Sequence, residues 1–167
     1  YNYANGITAS ATDRSLGFLN TGGFSSPRSI MLQVTNNTGS TITSLNISFD
    51  FEKYRSGTRA FNWTFFHSND GTNWSNETSG DQTYAADANN TTVYNPPTSI
   101  SKSFTISDVI IPNGSSYYFR WTFTGVGGSS NGQAIGLDNF SISATSGSYT
   151  ASNATDFFRS RKSGDWG

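Results

Sequence analysis

Residues Leu45–Arg55 read Leu-Asn-Ile-Ser-Phe-Asp-Phe-Glu-Lys-Tyr-Arg, and this stretch decides the fold class. Apolar and polar residues alternate with a period of two. Successive side chains of an extended chain point to opposite faces. Leu45, Ile47, Phe49 and Phe51 therefore share one face, and Asn46, Ser48, Asp50, Glu52 and Tyr54 share the other. The same alternation recurs in Ala60–His67, with Phe61, Trp63 and Phe65 opposite Asn62 and Thr64. It recurs again in Ser116–Thr124, where Tyr117, Phe119, Trp121 and Phe123 oppose Tyr118, Arg120 and Thr122. Ile30–Thr35, Ser101–Ile106 and Ala134–Ser143 complete the set of predicted strands. No stretch shows helical periodicity. Asn36-Asn37-Thr38-Gly39 and Ser68-Asn69-Asp70-Gly71 supply turns, the second with a strong Asp-Gly hairpin signal. Short strands separated by turns predict an all-β, two-sheet antiparallel sandwich of jelly-roll type.

Composition agrees. The chain has 167 residues, enough for one well-buried core, and 15% of them are aromatic. Only 13% are charged and the net charge is −1, so there is no basic footprint for nucleic acid or anionic lipid. There are no cysteines, which excludes disulfides and thiolate metal sites. No apolar run approaches the roughly 20 residues that a membrane span needs. Asp81–Pro97, rich in Asn, Ala and Pro, reads as a long loop, and Gly125–Gly132 as a glycine-rich one. The sandwich is expected over residues 1–144. Residues 145–167 begin Ser/Thr/Gly-rich and end on Gly164-Asp165-Trp166-Gly167, which reads as a linker and the start of a following module.

Two groups of residues carry a family resemblance. Asp13-Arg14-Ser15-Leu16-Gly17, Thr38–Leu45 and Glu52-Lys53-Tyr54-Arg55 form the opening. Tyr118-Phe119-Arg120-Trp121 and Ile135-Gly136-Leu137-Asp138-Asn139-Phe140 form the close. Together they resemble jelly-roll modules of large secreted, multi-modular bacterial proteins, which are similar to carbohydrate-binding modules. The resemblance implies a secreted or cell-surface location and a glycan partner. It also implies a structural Ca²⁺ near the last strand, with Asp138 at the matching position and Asp13 as its partner.

Little in the sequence supports catalysis. The single histidine, His67, alternates onto the aromatic face of its strand and reads as structural. Asp50 and Glu52 lie two apart on one strand face, but Tyr54 stands where a third acid would extend an acidic cluster. The polar faces offer more. If the strands holding Gln33, Asp50, Tyr118 and Asp138 shared one sheet, their outward residues would form a polar, aromatic-decorated surface. Aromatic rings stack on sugar C–H faces, while carboxylates and guanidinium groups bond hydroxyls. Glu52, Tyr54, Arg55, Trp74, Tyr118 and Arg120 are the candidate ligand-binding residues. Their structural alternatives are a Glu52–Arg120 ion pair, an Arg55 pair with Glu52 or Asp13, and a Trp74 folded over the sandwich end. Ser68–Trp74 also resembles the Asp-box hairpin of sialidase-like proteins, though it is one residue short of that spacing. Asn-X-Ser/Thr sequons such as Asn36 are frequent in so Asn-rich a chain and carry meaning only in a eukaryotic secreted protein.

The expectation is a non-catalytic, extracellular carbohydrate-binding module of a larger protein. A structural or adhesive spacer is the first alternative. A small polysaccharide hydrolase or lyase is the second.

Overall fold

The computed structural model describes residues 2–4, 11–21, 27–128 and 132–147. Among the described residues, ten strands form two antiparallel sheets: β1 Asn2–Ala4, β2 Arg14–Leu19, β3 Arg28–Thr35, β4 Ile42–Arg55, β5 Arg59–Ser68, β6 Ser75–Asn76, β7 Gln82–Tyr84, β8 Val93–Ile106, β9 Ser116–Gly128 and β10 Ala134–Ser146. One sheet, called the A sheet below, runs β1-β2-β10-β4-β8. The other, the B sheet, runs β3-β9-β5-β6, with β7 also on β5. Strands two to five alternate between the sheets, as do the last three. This is the jelly-roll order, in which the final strand returns between β2 and β4.

The alternating residues of β4, β5 and β9 meet in the middle. Phe49, Phe51, Trp63, Phe65, Phe119, Trp121 and Phe123 are all at most 1% exposed. Most of their rings pack tilted or edge to face, with Phe49 and Trp121 5.4 Å apart at 86°, while Phe65 and Phe119 stack at 19°. Such geometry suits the ring quadrupoles and adds about 0.5–1.5 kcal/mol per pair beyond burial.

Two predicted boundaries need correction. The segment expected to be a loop over Asp81–Pro97 contains β7 and the first five residues of β8. β8 pairs with β4 alone and is an edge strand. Pro96 and Pro97 are tolerated there because the missing N–H groups face no neighbour. Edge exposure also erases the alternation that would have revealed the strand. The remainder, residues 85–92, is tied down by polar contacts. Asp87 takes Lys53 Nζ at 2.7 Å and the Gly57 amide at 2.9 Å, and Ser56 Oγ donates to Asn89 at 2.9 Å. At the close of the sandwich, β10 runs two residues past the expected boundary at 144. The expected linker and following module lie otherwise outside the described residues, as does part of the glycine-rich stretch, whose start continues β9 to Gly128.

Among the described residues no helix is long and apolar enough to cross a membrane.

Candidate functional site

The candidate residues fall on opposite sides of the molecule. β4 and β10 belong to the A sheet, β3 and β9 to the B sheet. The assumption that Gln33, Asp50, Tyr118 and Asp138 share a sheet is therefore corrected. A Glu52–Arg120 ion pair does not form.

On the A sheet, Glu52 and Tyr54 point outward as the alternation requires, yet both are buried, at 6% and 7% exposure. β1 covers them: the Tyr3 ring stacks on Tyr54 at 5.0 Å. Ser15 Oγ donates to the Tyr54 hydroxyl at 3.1 Å, and that hydroxyl donates to Glu52 Oε2 at 2.5 Å. Gly136 makes the layer possible, since a Cβ there would lie 2.0 Å from Ser15 Oγ. Beside this chain, oxygens of Asp13, Glu52 and Asp138 come within 4.8 Å of one another. Asp138 is placed by a register slip in β10 between Asp138 and Ser141. Asn139 adopts φ 51° at the slip, a conformation Asn tolerates. It donates its amide to Asp138 Oδ1 and its side chain to Asp50 Oδ2, both at 2.8 Å. Asp138 Oδ2 is buried without a hydrogen-bond partner among the described residues, and, in addition to burial, the Asp13 carboxyl lying against the Asp138 carboxyl raises its pKa. Burial pushes the carboxyls of Glu52 and Asp138 above the usual range, and neighbouring acids push them further.

Arg55 is on the same strand but does a structural job. Its guanidinium donates to the Asn90 carbonyl at 3.2 and 3.3 Å, helping to anchor the 85–92 segment. It pairs with neither Glu52 nor Asp13.

On the B sheet, three candidates do converge. In register, Arg120 lies between Met31 of β3 and Phe66 of β5. Its guanidinium carbon sits over the Phe66 ring at 4.7 Å and over the Trp74 ring at 4.2 Å. Trp74 thus packs onto the sheet face through Arg120. The hairpin after β5 brings it there. Ser68 Oγ donates to Asp70 Oδ1 and accepts from the Gly71 amide, each at 2.9 Å. Asp70 then accepts the Thr72 and Asn73 amides and the Asn73 side chain, each at 2.7 Å. These bonds, led by the Asn73 amide, hold the Asp70 carboxyl well below the usual range. Gly71 has φ 72° and sits over Tyr118, where an added Cβ would meet the ring at 3.4 Å. Tyr118, Arg120, Phe66 and Trp74 are all half-buried, and Met31 is exposed.

Arg120 makes no ion pair or hydrogen bond with any described residue. Its Nε is buried without a partner, and burial lowers its hold on the proton. Phe66 and Met31 were absent from the sequence-based candidates. The signal was present for Phe66. With Phe65 committed to the core by alternation, the next residue must face outward, leaving an aromatic on a polar face.

His67 packs against Tyr117. Its Nδ1 lies 2.6 Å from the Tyr117 hydroxyl and the two rings stack. Burial lowers its pKa, with Glu77 opposing the shift. Asn36 is buried, and its side chain donates to the carbonyls of Ser40 and Ile111, so this sequon offers no free amide.

No protein-family model and no curated protein matches the chain. Among solved structures, a chain titled "Structure of infectious bursal disease virus Gt strain" is similar over 84% of this chain, at 17% identity and a TM-score of 0.28. The alignment spans about a third (36%) of that chain.

Proposed function

We propose that this protein is a non-catalytic carbohydrate-binding module of a larger secreted or cell-surface bacterial protein, and that it engages polysaccharide with the outer face of the B sheet. The observation that carries this reading is the Arg120 guanidinium, unpaired, over the Trp74 and Phe66 rings, with Tyr118 alongside. Rings offer stacking surface to sugar C–H faces, and a guanidinium offers directed donors. His67 is hydrogen-bonded to Tyr117, and among the described residues no carboxylate is a register neighbour of Arg120. Binding of the protein to a panel of soluble and insoluble polysaccharides tests the reading. Saturable binding to one class, lost in Trp74→Ala and Tyr118→Ala, is expected. Retention of binding in both variants contradicts it.

Two observations favour other readings. The sealed A-sheet face around Tyr54 suits a spacer, for which no polysaccharide would bind. The raised Glu52 and Asp138 carboxyls suit a hydrolase or lyase, which release of reducing ends or unsaturated products from the same panel would reveal.

The Ca²⁺ we propose would sit on the A sheet. Ca²⁺ takes oxygen ligands at 2.3–2.6 Å, so two ligand atoms of one ion stand at most about 5 Å apart. Asp13, Glu52 and Asp138 meet that limit, and the orphaned Asp138 Oδ2 fits a cation partner. Bound there, Ca²⁺ would neutralise the crowded carboxylates and tie β2, β4 and β10 together. A midpoint of thermal unfolding several degrees higher in Ca²⁺ than in chelator, with the difference abolished by Asp138→Asn, is expected. Equal midpoints would remove calcium from the account.

A further inference from the structure

We infer that the B-sheet face selects an anionic polysaccharide, one whose sugars carry carboxylate or sulfate groups. This rests on the reading of that face as the glycan site. The argument comes from what surrounds Arg120. Its cross-strand neighbours are Met31 and Phe66, and neither can pair with a cation. The flanking rows are Ser29, Thr122 and Thr64 on one side and Gln33, Tyr118 and Ser68 on the other. None is acidic. Asp70, in the hairpin above, has its oxygens filled by the Ser68 hydroxyl, the Thr72 and Asn73 amides and the Asn73 side chain.

The Lys53–Asp87 ion pair lies elsewhere, on the A sheet and the 85–92 segment. A half-buried guanidinium without a counter-ion is costly, and proteins ordinarily pair such a group. Here the pairing partner is left to the ligand. A planar guanidinium held against rings presents its donors as a fixed fork that matches a carboxylate or sulfate. Neutral sugars make a different demand. Their hydroxyls donate as well as accept, and sites for them commonly supply carboxylate acceptors, which this face lacks.

The test is affinity of the intact protein for four probes: polygalacturonate, dextran sulfate, neutral dextran and laminarin. Each is measured at low and high salt, on the parent chain and on Arg120→Gln, Arg120→Lys and Trp74→Ala. Unfolding midpoints of the variants, close to that of the parent, exclude misfolding. At least one anionic polymer is expected to bind about 10-fold or more tighter than the neutral ones, a gap of about 1.4 kcal/mol. Arg120→Gln is expected to remove that preference. Arg120→Lys should recover only part of it, because lysine keeps the charge but loses the fork. Salt should weaken binding by screening. Binding to polygalacturonate alone assigns a carboxylate ligand, and binding to dextran sulfate alone assigns a sulfate. If neutral polymers bind as tightly and depend on Trp74 but not Arg120, the glycan site stands and the anionic inference falls. If no polymer binds, both fall.

Discussion

Glu52 and Arg120 are both charged residues on outward strand faces, and their surroundings give them opposite roles. Glu52 is roofed by Tyr54 and Tyr3, and burial raises its pKa. A carboxyl whose folded pKa lies above its unfolded value of about 4.3 favours folding most while protonated. Its contribution is complete below the unfolded pKa and lost as pH rises through the folded one. Asp138 acts in the same sense. In chelator, the urea midpoint of the parent relative to that of Glu52→Gln, a comparison in which the opposing titration of His67 cancels, is therefore expected to rise as pH falls from neutrality toward 5. Glu52→Gln keeps an acceptor for Tyr54, and it should raise the midpoint at neutral pH and flatten the pH dependence. A variant less stable than the parent at neutral pH would contradict the assigned burial. Asp70 works at the same scale on the other face, as a positioning residue. Asp70→Ala should weaken glycan binding through loss of Trp74 placement, and it should also lower the unfolding midpoint at neutral pH, because a carboxyl held below its usual range stabilises the fold there. Unaltered affinity would show that the hairpin does not place Trp74.

Strands explain which parts of this account could be read in advance. β4, β5 and β9 are central or nearly so, so alternation in Leu45–Arg55 and Ser116–Thr124 reports a buried face directly. β8 lies at an edge, and the prolines that disguised it are the residues an edge accepts. Which sheet each strand joins is a long-range property, invisible to periodicity. That is why Glu52 and Arg120 could be assigned to outward faces but not to opposite ones. The resemblance names Asp13 and Asp138 together, whereas the approach of Glu52 to both depends on β10 returning between β2 and β4. Gly136 sits at that junction, opposite Gly17 and Glu52. Gly136→Ala should force Ser15 out of place and cost about 1–3 kcal/mol, as overpacking does. Denaturant unfolding measures this, and a neutral substitution would show that β1 and β2 yield easily.

Across the whole molecule, the jelly roll separates two chemistries by the thickness of its aromatic core. The A sheet holds crowded, partly buried carboxyls at the junction of β2, β4 and β10. The B sheet carries an unpaired cation among rings on a solvent-facing surface. The proposed division gives stability to the first and recognition to the second. An amide-resolved NMR titration tests this division most directly. The ¹⁵N-labelled protein would be titrated with oligogalacturonides and, separately, with laminari-oligosaccharides. The account expects at least one series to produce saturable shifts concentrated in residues 64–76 and 118–122, with β10 and the 52–54 segment undisturbed. Shifts centred on Glu52, Tyr54 and Asp138, or no shifts with either series and none with sulfated dextran oligosaccharides, would contradict it.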